Sequence, residues 1–125
     1  MALSPERKPS DATIESLRLP PQSLEAEQAV LGGLMISPDA LDRVGDFLKV
    51  EDFYRRDHQL IYRGIHELSE KGRPFDAVTL GEWFEANGNS EQAGGIGYLI
   101  ELANTTASAA NITAYAEIVR EKAVL

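Results

Sequence analysis

The chain has 125 residues, of which 43% are hydrophobic and 26% charged, the composition of a single globular domain. It contains no cysteine, so a disulfide, a thiolate metal site and a thiol nucleophile are excluded. The net charge of −8 lies entirely in residues 23–125, because the first 22 residues carry three acidic and three basic side chains, and so acidic a domain is a poor match for nucleic-acid phosphates.

The first 22 residues contain four of the six prolines among polar side chains. This composition predicts a disordered N-terminal tail. No apolar run reaches the roughly 18 residues of a membrane span, and the first residues lack the apolar centre of a signal peptide. We therefore expect a cytoplasmic protein with no membrane contact.

The stretch PPQSLEAEQAVLGGLM, residues 20–35, predicts the first helix. Ser23 is a good N-cap, and Glu25 and Glu27 lie in the first turns, where the helix dipole favours anions. One face of this helix carries only the small residues Ala26, Ala29, Gly32 and Gly33. Two glycines together cost a helix about 2 kcal/mol, so we expect another helix to pack closely against this face.

The next two helices follow from caps and apolar spacing. Ser37 and Pro38 predict the N-cap and first position of a second helix. Its apolar stripe is Leu41, Val44, Phe47 and Leu48. A third helix is predicted from about Asp57 to Lys71, ended by Gly72. Its core face is Ile61, Ile65 and Leu68, with Tyr62 at the edge, and Phe53 and Tyr54 are expected to anchor the preceding connection.

The last three helices have less regular boundaries. The spacing of Thr79 and Glu82 predicts a capping box that starts the fourth helix, with Val78 and Trp83 as a hydrophobic staple. A fifth helix is expected over residues 96–104. The sixth begins after Ser108 or Asn111 and carries two apolar faces: Ile112, Tyr115, Ala116, Val119 and Ala123 on one, Ala114, Ile118 and Leu125 on the other. Ile118 and Leu125 would thus need a partner or further residues to cover them.

No segment alternates apolar and polar residues for long enough to predict a strand. The predicted fold is therefore all-α, a compact orthogonal bundle of about six short helices. We expect a tail over residues 1–22, a helical head over residues 23–104, and the start of a helical hairpin over residues 105–125.

The sequence offers little for catalysis. It lacks the phosphate-binding pattern GxxxxGK[ST] and also GxGxxG, and the glycines of Gly94-Gly95-Ile96-Gly97 open a helix without a preceding strand. His58 and His66 lie eight positions apart on one helix and are expected to be surface or boundary residues rather than metal ligands. The basic side chains Arg55, Arg56, Arg63, Lys71 and Arg73 alternate with acids and are interpreted as a solvated face. We predict no catalytic, cofactor or metal site; an acid/base hydrolase has no support beyond abundant carboxylates.

Four stretches together resemble a known family. They are PPQSLEAEQAVLGGLM, EDFYRRDHQLIY, GRPFDAVTL and GGIGYLIELANTTASAANITAYAEIVREKAVL. In this order, over residues 20–125, they resemble the N-terminal domain of bacterial replicative DNA helicases of the DnaB family. The resemblance implies a non-catalytic collar and oligomerisation domain of a hexameric ring that docks the C-terminal domain of primase. It also implies that ATP and Mg act in a motor domain absent from this chain, and that the last helix is half of a cut hairpin.

The resemblance also implies sites and partners. Asp76 and Ile96 match positions at the contact between paired head domains, although Asp76 has the alternative role of starting a helix. Tyr98 matches a position linked to primase, with a core or boundary tyrosine as the alternative. Ile118 and Leu125 are the expected contacts of the hairpin or primase. The expected partners are further copies of the chain, primase and a helicase loader, with no direct nucleic-acid binding; a free-standing helical adaptor is the alternative function.

Overall fold

The computed structural model describes residues 23–123, so the predicted disordered tail (residues 1–22) and Leu125 lie outside the described residues. Six α-helices follow one another: α1 Leu24–Ile36, α2 Leu41–Val44, α3 Arg56–Glu70, α4 Ala77–Ala86, α5 Gly95–Thr105 and α6 Ile112–Ala123. Two 3-10 turns, Pro38–Ala40 and Val50–Asp52, lie on either side of α2. Residues 23–123 contain no strand, which confirms the predicted all-α class.

Helix α1 is the centre of the packing, because it contacts α3, α5 and α6. The Ser23 hydroxyl accepts a hydrogen bond from the Ala26 N–H at 3.2 Å, which confirms the predicted N-cap. Val30, Leu31 and Leu34 are fully buried. The small face is used as predicted: a methyl group on Gly32 would overlap the Thr106 hydroxyl and the Leu102 carbonyl oxygen. Helix α5 and the segment after it therefore lie directly against the α1 backbone.

The predicted second helix is shorter and less regular than expected. The 3-10 turn Pro38–Ala40 leads into only four α-helical residues, and the Ser37 side chain makes no capping hydrogen bond. Leu41, Val44 and Leu48 are nevertheless buried, so the apolar pattern was interpreted correctly. Tertiary packing outweighs helix propensity in this segment. A tight turn followed by one helical turn is enough to bring these side chains into the core.

Helix α3 is terminated as predicted by Gly72, which lies just beyond the helix and has a left-handed φ of 68°. The prediction that Tyr62 lies at the edge was wrong. Its ring is fully buried, and its hydroxyl donates to the Leu48 carbonyl at 2.8 Å, a partner that makes burial of the polar atom acceptable. Of the two expected anchors before α3, Phe53 is buried but Tyr54 is 56% exposed.

The prediction for the start of α4 was also wrong. Asp76, not Thr79, is the N-cap, and its Oδ1 accepts a hydrogen bond from the Thr79 N–H at 2.9 Å. Phe75 is buried immediately before this cap, which fixes the chain where α4 begins. Val78 is 57% exposed, so it forms no staple with Trp83. Both Asp and Thr are good caps, and only the burial of the preceding residue decides between them.

Helices α5 and α6 complete the bundle. Gly94, with φ of 94°, precedes α5, and α6 begins directly after Asn111. The core face of α6 consists of Ile112, Ala116 and Val119. Tyr115 and Ala123, which were assigned to the same face, are exposed. Helix α6 packs on α1 and α2, and the side chains of Tyr115 and Ala123 lie outside these helix–helix contacts.

Candidate interaction surfaces

The core contains a buried polar junction. Glu27 of α1 and His58 of α3 are 1% and 0% exposed, and one carboxylate oxygen of Glu27 lies 2.6 Å from Nδ1 of His58. The other carboxylate oxygen accepts the Tyr54 backbone N–H at 2.6 Å. Both oxygens of a buried carboxylate thus have a partner, as burial of a charged group requires.

Tyr98 of α5 closes the junction from the third side. Its hydroxyl lies 2.6 Å from Nε2 of His58 and accepts a hydrogen bond from the Gln28 amide at 3.2 Å. The tyrosine and histidine rings are nearly parallel, 5° apart, with centroids separated by 5.8 Å. All donors and acceptors are satisfied when Nδ1 of His58 donates to Glu27 and the Tyr98 hydroxyl donates to Nε2.

The Tyr98 ring is half-buried and meets a charged group near the surface. The Arg55 guanidinium carbon lies 5.3 Å from the ring centroid, within the range of a cation–π contact. Asp57 holds this guanidinium with two hydrogen bonds, of 3.1 and 2.5 Å. Burial raises the pKa of Tyr98, although the Gln28 hydrogen bond and the Arg55 charge act in the opposite direction. The hydroxyl is therefore neutral and engaged inside the protein.

The prediction that His58 is a surface or boundary residue was wrong, whereas His66 does lie at the boundary. The sequence contains a signal for burial of His58, because this residue precedes the core residues Ile61, Tyr62 and Ile65 at helical spacing. Glu27 likewise lies three and four positions before the buried Val30 and Leu31. Their polar chemistry argued against a core position, and only a specific mutual hydrogen bond overcomes that argument.

A second surface lies across α4 and α5. Ile96 is 43% exposed, and its side chain lies where a Cβ on Gly81 would be. With Val78 it lines a cleft of about 230 Å³, which Glu82 and Glu85 also border. Asp76, at the start of α4, is exposed apart from its capping bonds. An open cleft with two apolar side chains at its rim and carboxylates beside them has the composition of a protein-contact surface.

The predicted site residues do not form one site. Ile96 and Tyr98 are two positions apart on α5 and therefore point to different sides of the helix. Ile118 of α6 is partly buried and packs against the core, so the expectation of a second apolar stripe left uncovered does not hold for it. Ala114 is exposed, and Leu125 lies outside the described residues. The structure thus separates an Ile96 surface from a Tyr98 surface.

Within residues 23–123, no group of three or more His, Asp or Glu side chains is placed to hold a metal ion. No helix in that range is long and apolar enough to cross a membrane.

Comparison with known proteins gives consistent matches. Residues 19–121 match the model of the DnaB-like helicase N-terminal domain family. The replicative DNA helicase DnaB of Haemophilus influenzae is 44% identical over 125 residues, all of this chain and 27% of the relative. The replicative DNA helicase DnaC of Bacillus subtilis is 46% identical over 108 residues, 86% of this chain and 24% of the relative. The chain thus spans about a quarter of the length of these relatives.

Two solved structures share the fold. The N-terminal domain of DnaB helicase from Mycobacterium tuberculosis has a TM-score of 0.81 and 46% identity, over 85% of this chain and 74% of that one. A DnaB-like replicative helicase, described with its interactions with primase, has a TM-score of 0.71 and 31% identity, over 81% of this chain and 24% of that one.

Proposed function

Because the chain belongs to the DnaB-like helicase N-terminal domain family, we propose that it is the collar, oligomerisation and primase-docking domain of a hexameric replicative DNA helicase. The observation that carries the proposal is the 44% identity that extends over the whole chain but over only 27% of a replicative helicase. In this proposal ATP and Mg bind to a separate motor domain, and the protein acts in the bacterial cytoplasm at the replication fork.

The proposed contact between two head domains is the α4–α5 surface. Ile96 and Val78 supply exposed apolar area at the rim of the cleft, and Asp76 begins the same helix as Val78. An apolar centre bordered by polar side chains is the usual anatomy of a protein interface. We propose both roles for Asp76, the cap of α4 and the contact between head domains. Its carboxylate caps the helix and is also exposed.

The proposed primase side of the domain contains Tyr98 of α5 and Ile118 of α6. Leu125, which lies outside the described residues, is a further proposed contact. Tyr98 supports this role because its ring reaches the surface beside the Arg55 guanidinium. Aromatic and arginine side chains are enriched at binding hot spots. Ile118 contributes by fixing α6 on the core, which orients whatever follows this helix. A helicase loader is a further proposed partner.

Direct binding of DNA is not proposed for this domain. Its net charge of −8 opposes a phosphate backbone at long range. The basic side chains in and just before α3 do not form an uninterrupted patch either, since Arg55, the residue before the helix, is paired with Asp57. Protein partners are therefore a better match than nucleic acid for the exposed surfaces.

The test uses the full-length protein that contains this chain. Its mass in solution should be that of six copies, and it should form a complex with the C-terminal domain of primase from the same organism. A full-length protein that is monomeric at every concentration and does not bind primase would contradict the proposal. An open reading frame that ends near Leu125, without GxxxxGK[ST] downstream, would instead favour the free-standing adaptor.

A further inference from the structure

We infer that Glu27 and His58 are positioning residues for the Tyr98 surface: the buried junction holds the Tyr98 ring in the orientation that primase recognises. The inference rests on the proposed function, because it states that residues in the interior of the domain control one proposed docking surface. It predicts that a change at a fully buried histidine alters binding of a protein that never touches it.

The Tyr98 hydroxyl is bonded within the domain. It is hydrogen-bonded to His58 at 2.6 Å and to Gln28 at 3.2 Å. A phenol has one proton to donate, and that proton is directed to the histidine nitrogen when Gln28 donates to the oxygen. The hydroxyl is thus engaged within the domain. What Tyr98 offers to a partner is the exposed part of its ring, and the inner bonds set the angle of that ring.

His58 connects Glu27 to Tyr98 through its two ring nitrogens. Glu27 fixes His58 through Nδ1, and His58 fixes Tyr98 through Nε2, with the two rings nearly parallel. Three helices, α1, α3 and α5, each contribute one member. Because both bonds are 2.6 Å long and His58 is fully buried, the histidine ring cannot rotate without leaving a buried polar atom unpaired, which is costly. The ring of Tyr98 therefore has one preferred orientation.

At the surface, the Tyr98 ring has a charged neighbour. The Arg55 guanidinium lies 5.3 Å from the Tyr98 centroid and is itself held by Asp57. Arg55 and Asp57 precede His58 by three positions and one position, where α3 begins. One short segment thus provides the buried histidine and the surface pair, so a shift of His58 would move the tyrosine and the arginine together.

The decisive experiment measures binding of the primase C-terminal domain to the full-length protein and its variants. Tyr98→Phe keeps the ring and removes the hydroxyl. His58→Asn retains an amide near the Nδ1 position and loses the bond to Tyr98. Each should weaken binding about tenfold, the loss expected for one net hydrogen bond that positions a contact. The double variant should be no weaker than either single variant, because both remove the same bond.

Two further variants exclude simpler explanations. Tyr54→Phe removes the same hydroxyl from an exposed tyrosine beside the junction and should bind as the wild type does. Gln28→Ala removes only the outer donor to Tyr98, leaves the buried Glu27–His58 pair intact, and should weaken binding about threefold. It also serves if His58→Asn does not fold. Binding is compared among proteins whose circular dichroism confirms the folded state at the assay temperature.

The outcomes are distinct. If the wild type binds primase but Tyr98→Phe, His58→Asn and Gln28→Ala bind within twofold of it, the positioning role is wrong and the docking function stands. If the losses of the two single variants add in the double variant, Tyr98 and His58 act independently, which also overturns the inference. If the wild type itself does not bind primase, both the proposed function and the inference fail.

Discussion

The Glu27 carboxylate and the His58 imidazole lie 2.6 Å apart in the core, although 31 positions separate them in the sequence. This contact joins α1 to α3 at a place where each helix otherwise presents apolar side chains. Buried ionisable groups are retained only where their hydrogen bonds are complete, and here the Tyr54 amide and the Tyr98 hydroxyl complete them. The junction thus specifies how the helices are placed rather than adding apolar area.

Removal of the carboxylate should show how strongly the fold depends on this junction. Glu27→Ala leaves the Tyr54 N–H and Nδ1 of His58 without their partner, so we expect a loss of about 3–5 kcal/mol in the free energy of unfolding. Glu25→Ala, two positions earlier and exposed, is the matched control and should lose at most about 1 kcal/mol through the helix dipole. Urea denaturation measures both, and equal losses would contradict a special role for Glu27.

The close packing on the small face of α1 makes a second prediction. Gly32→Ala places a methyl group against the Thr106 hydroxyl and the Leu102 carbonyl oxygen, so it should destabilise the protein by about 1–3 kcal/mol. Gly97→Ala adds the same methyl group within α5, where nothing lies within 4 Å, and should stabilise by up to about 1 kcal/mol. Melting temperatures that rise in both variants would show that the α1 face is not tightly packed.

The two roles assigned to Asp76 can be separated by substitution. Asp76→Ala removes the acceptor of the Thr79 N–H and should cost about 1 kcal/mol of stability, whereas Asp76→Asn keeps a capping oxygen and should be close to the wild type. If the carboxylate also serves the contact between head domains, Asp76→Asn should still weaken self-association. Thermal denaturation reports the first effect, and sedimentation across a concentration series reports the second.

The proposed head-to-head contact depends on the exposed apolar side chain of Ile96. We expect Ile96→Ala to raise the dissociation constant for pairing of the domains about tenfold, because apolar anchors at an interface centre dominate the binding energy. Ile36→Ala truncates a similarly exposed isoleucine at the end of α1 and should leave pairing unchanged. Equal effects of the two substitutions on mass in solution would place the contact elsewhere.

His66 should make stability depend on pH. Its ring packs edge-on against Tyr62, with centroids 4.6 Å apart, and burial lowers its pKa below the ordinary 6.5 although Glu70 acts in the opposite direction. The unfolded chain therefore binds the proton first as pH falls, so the contribution of His66 to stability is present above about pH 6.5 and is lost below it.

The measurement is the free energy of unfolding at about pH 7.5 and about pH 5.5. His66→Gln removes the titrating ring, so its stability relative to the wild type should increase as the pH is lowered. Arg63→Gln, on the same helix, changes a charge without titrating in this range and should keep a constant difference from the wild type. A constant difference for His66→Gln as well would contradict the burial effect.

Local rules predicted some element boundaries well and others poorly. Ser23 and Gly72 were identified correctly because an N-cap oxygen and a left-handed glycine act within one helical turn of their position. The sequence predicted Thr79 as the cap instead of Asp76, because both residue types are good caps. The burial of Phe75, which decides between them, depends on contacts with distant parts of the chain. The role of Tyr98 as the outer member of a buried chain had no local signal at all.

The sequence by itself determined the all-α class, the small face on the glycines of α1 and the membership suggested by four motifs. These follow from helical periodicity and from residue types, which act over a few neighbouring positions. Tertiary structure alone decided that Glu27, His58 and Tyr98 meet, and that Ile96 and Tyr98 serve different surfaces. A polar side chain enters a core only when another part of the chain supplies its hydrogen-bond partner, and that partner is 31 and 40 positions away.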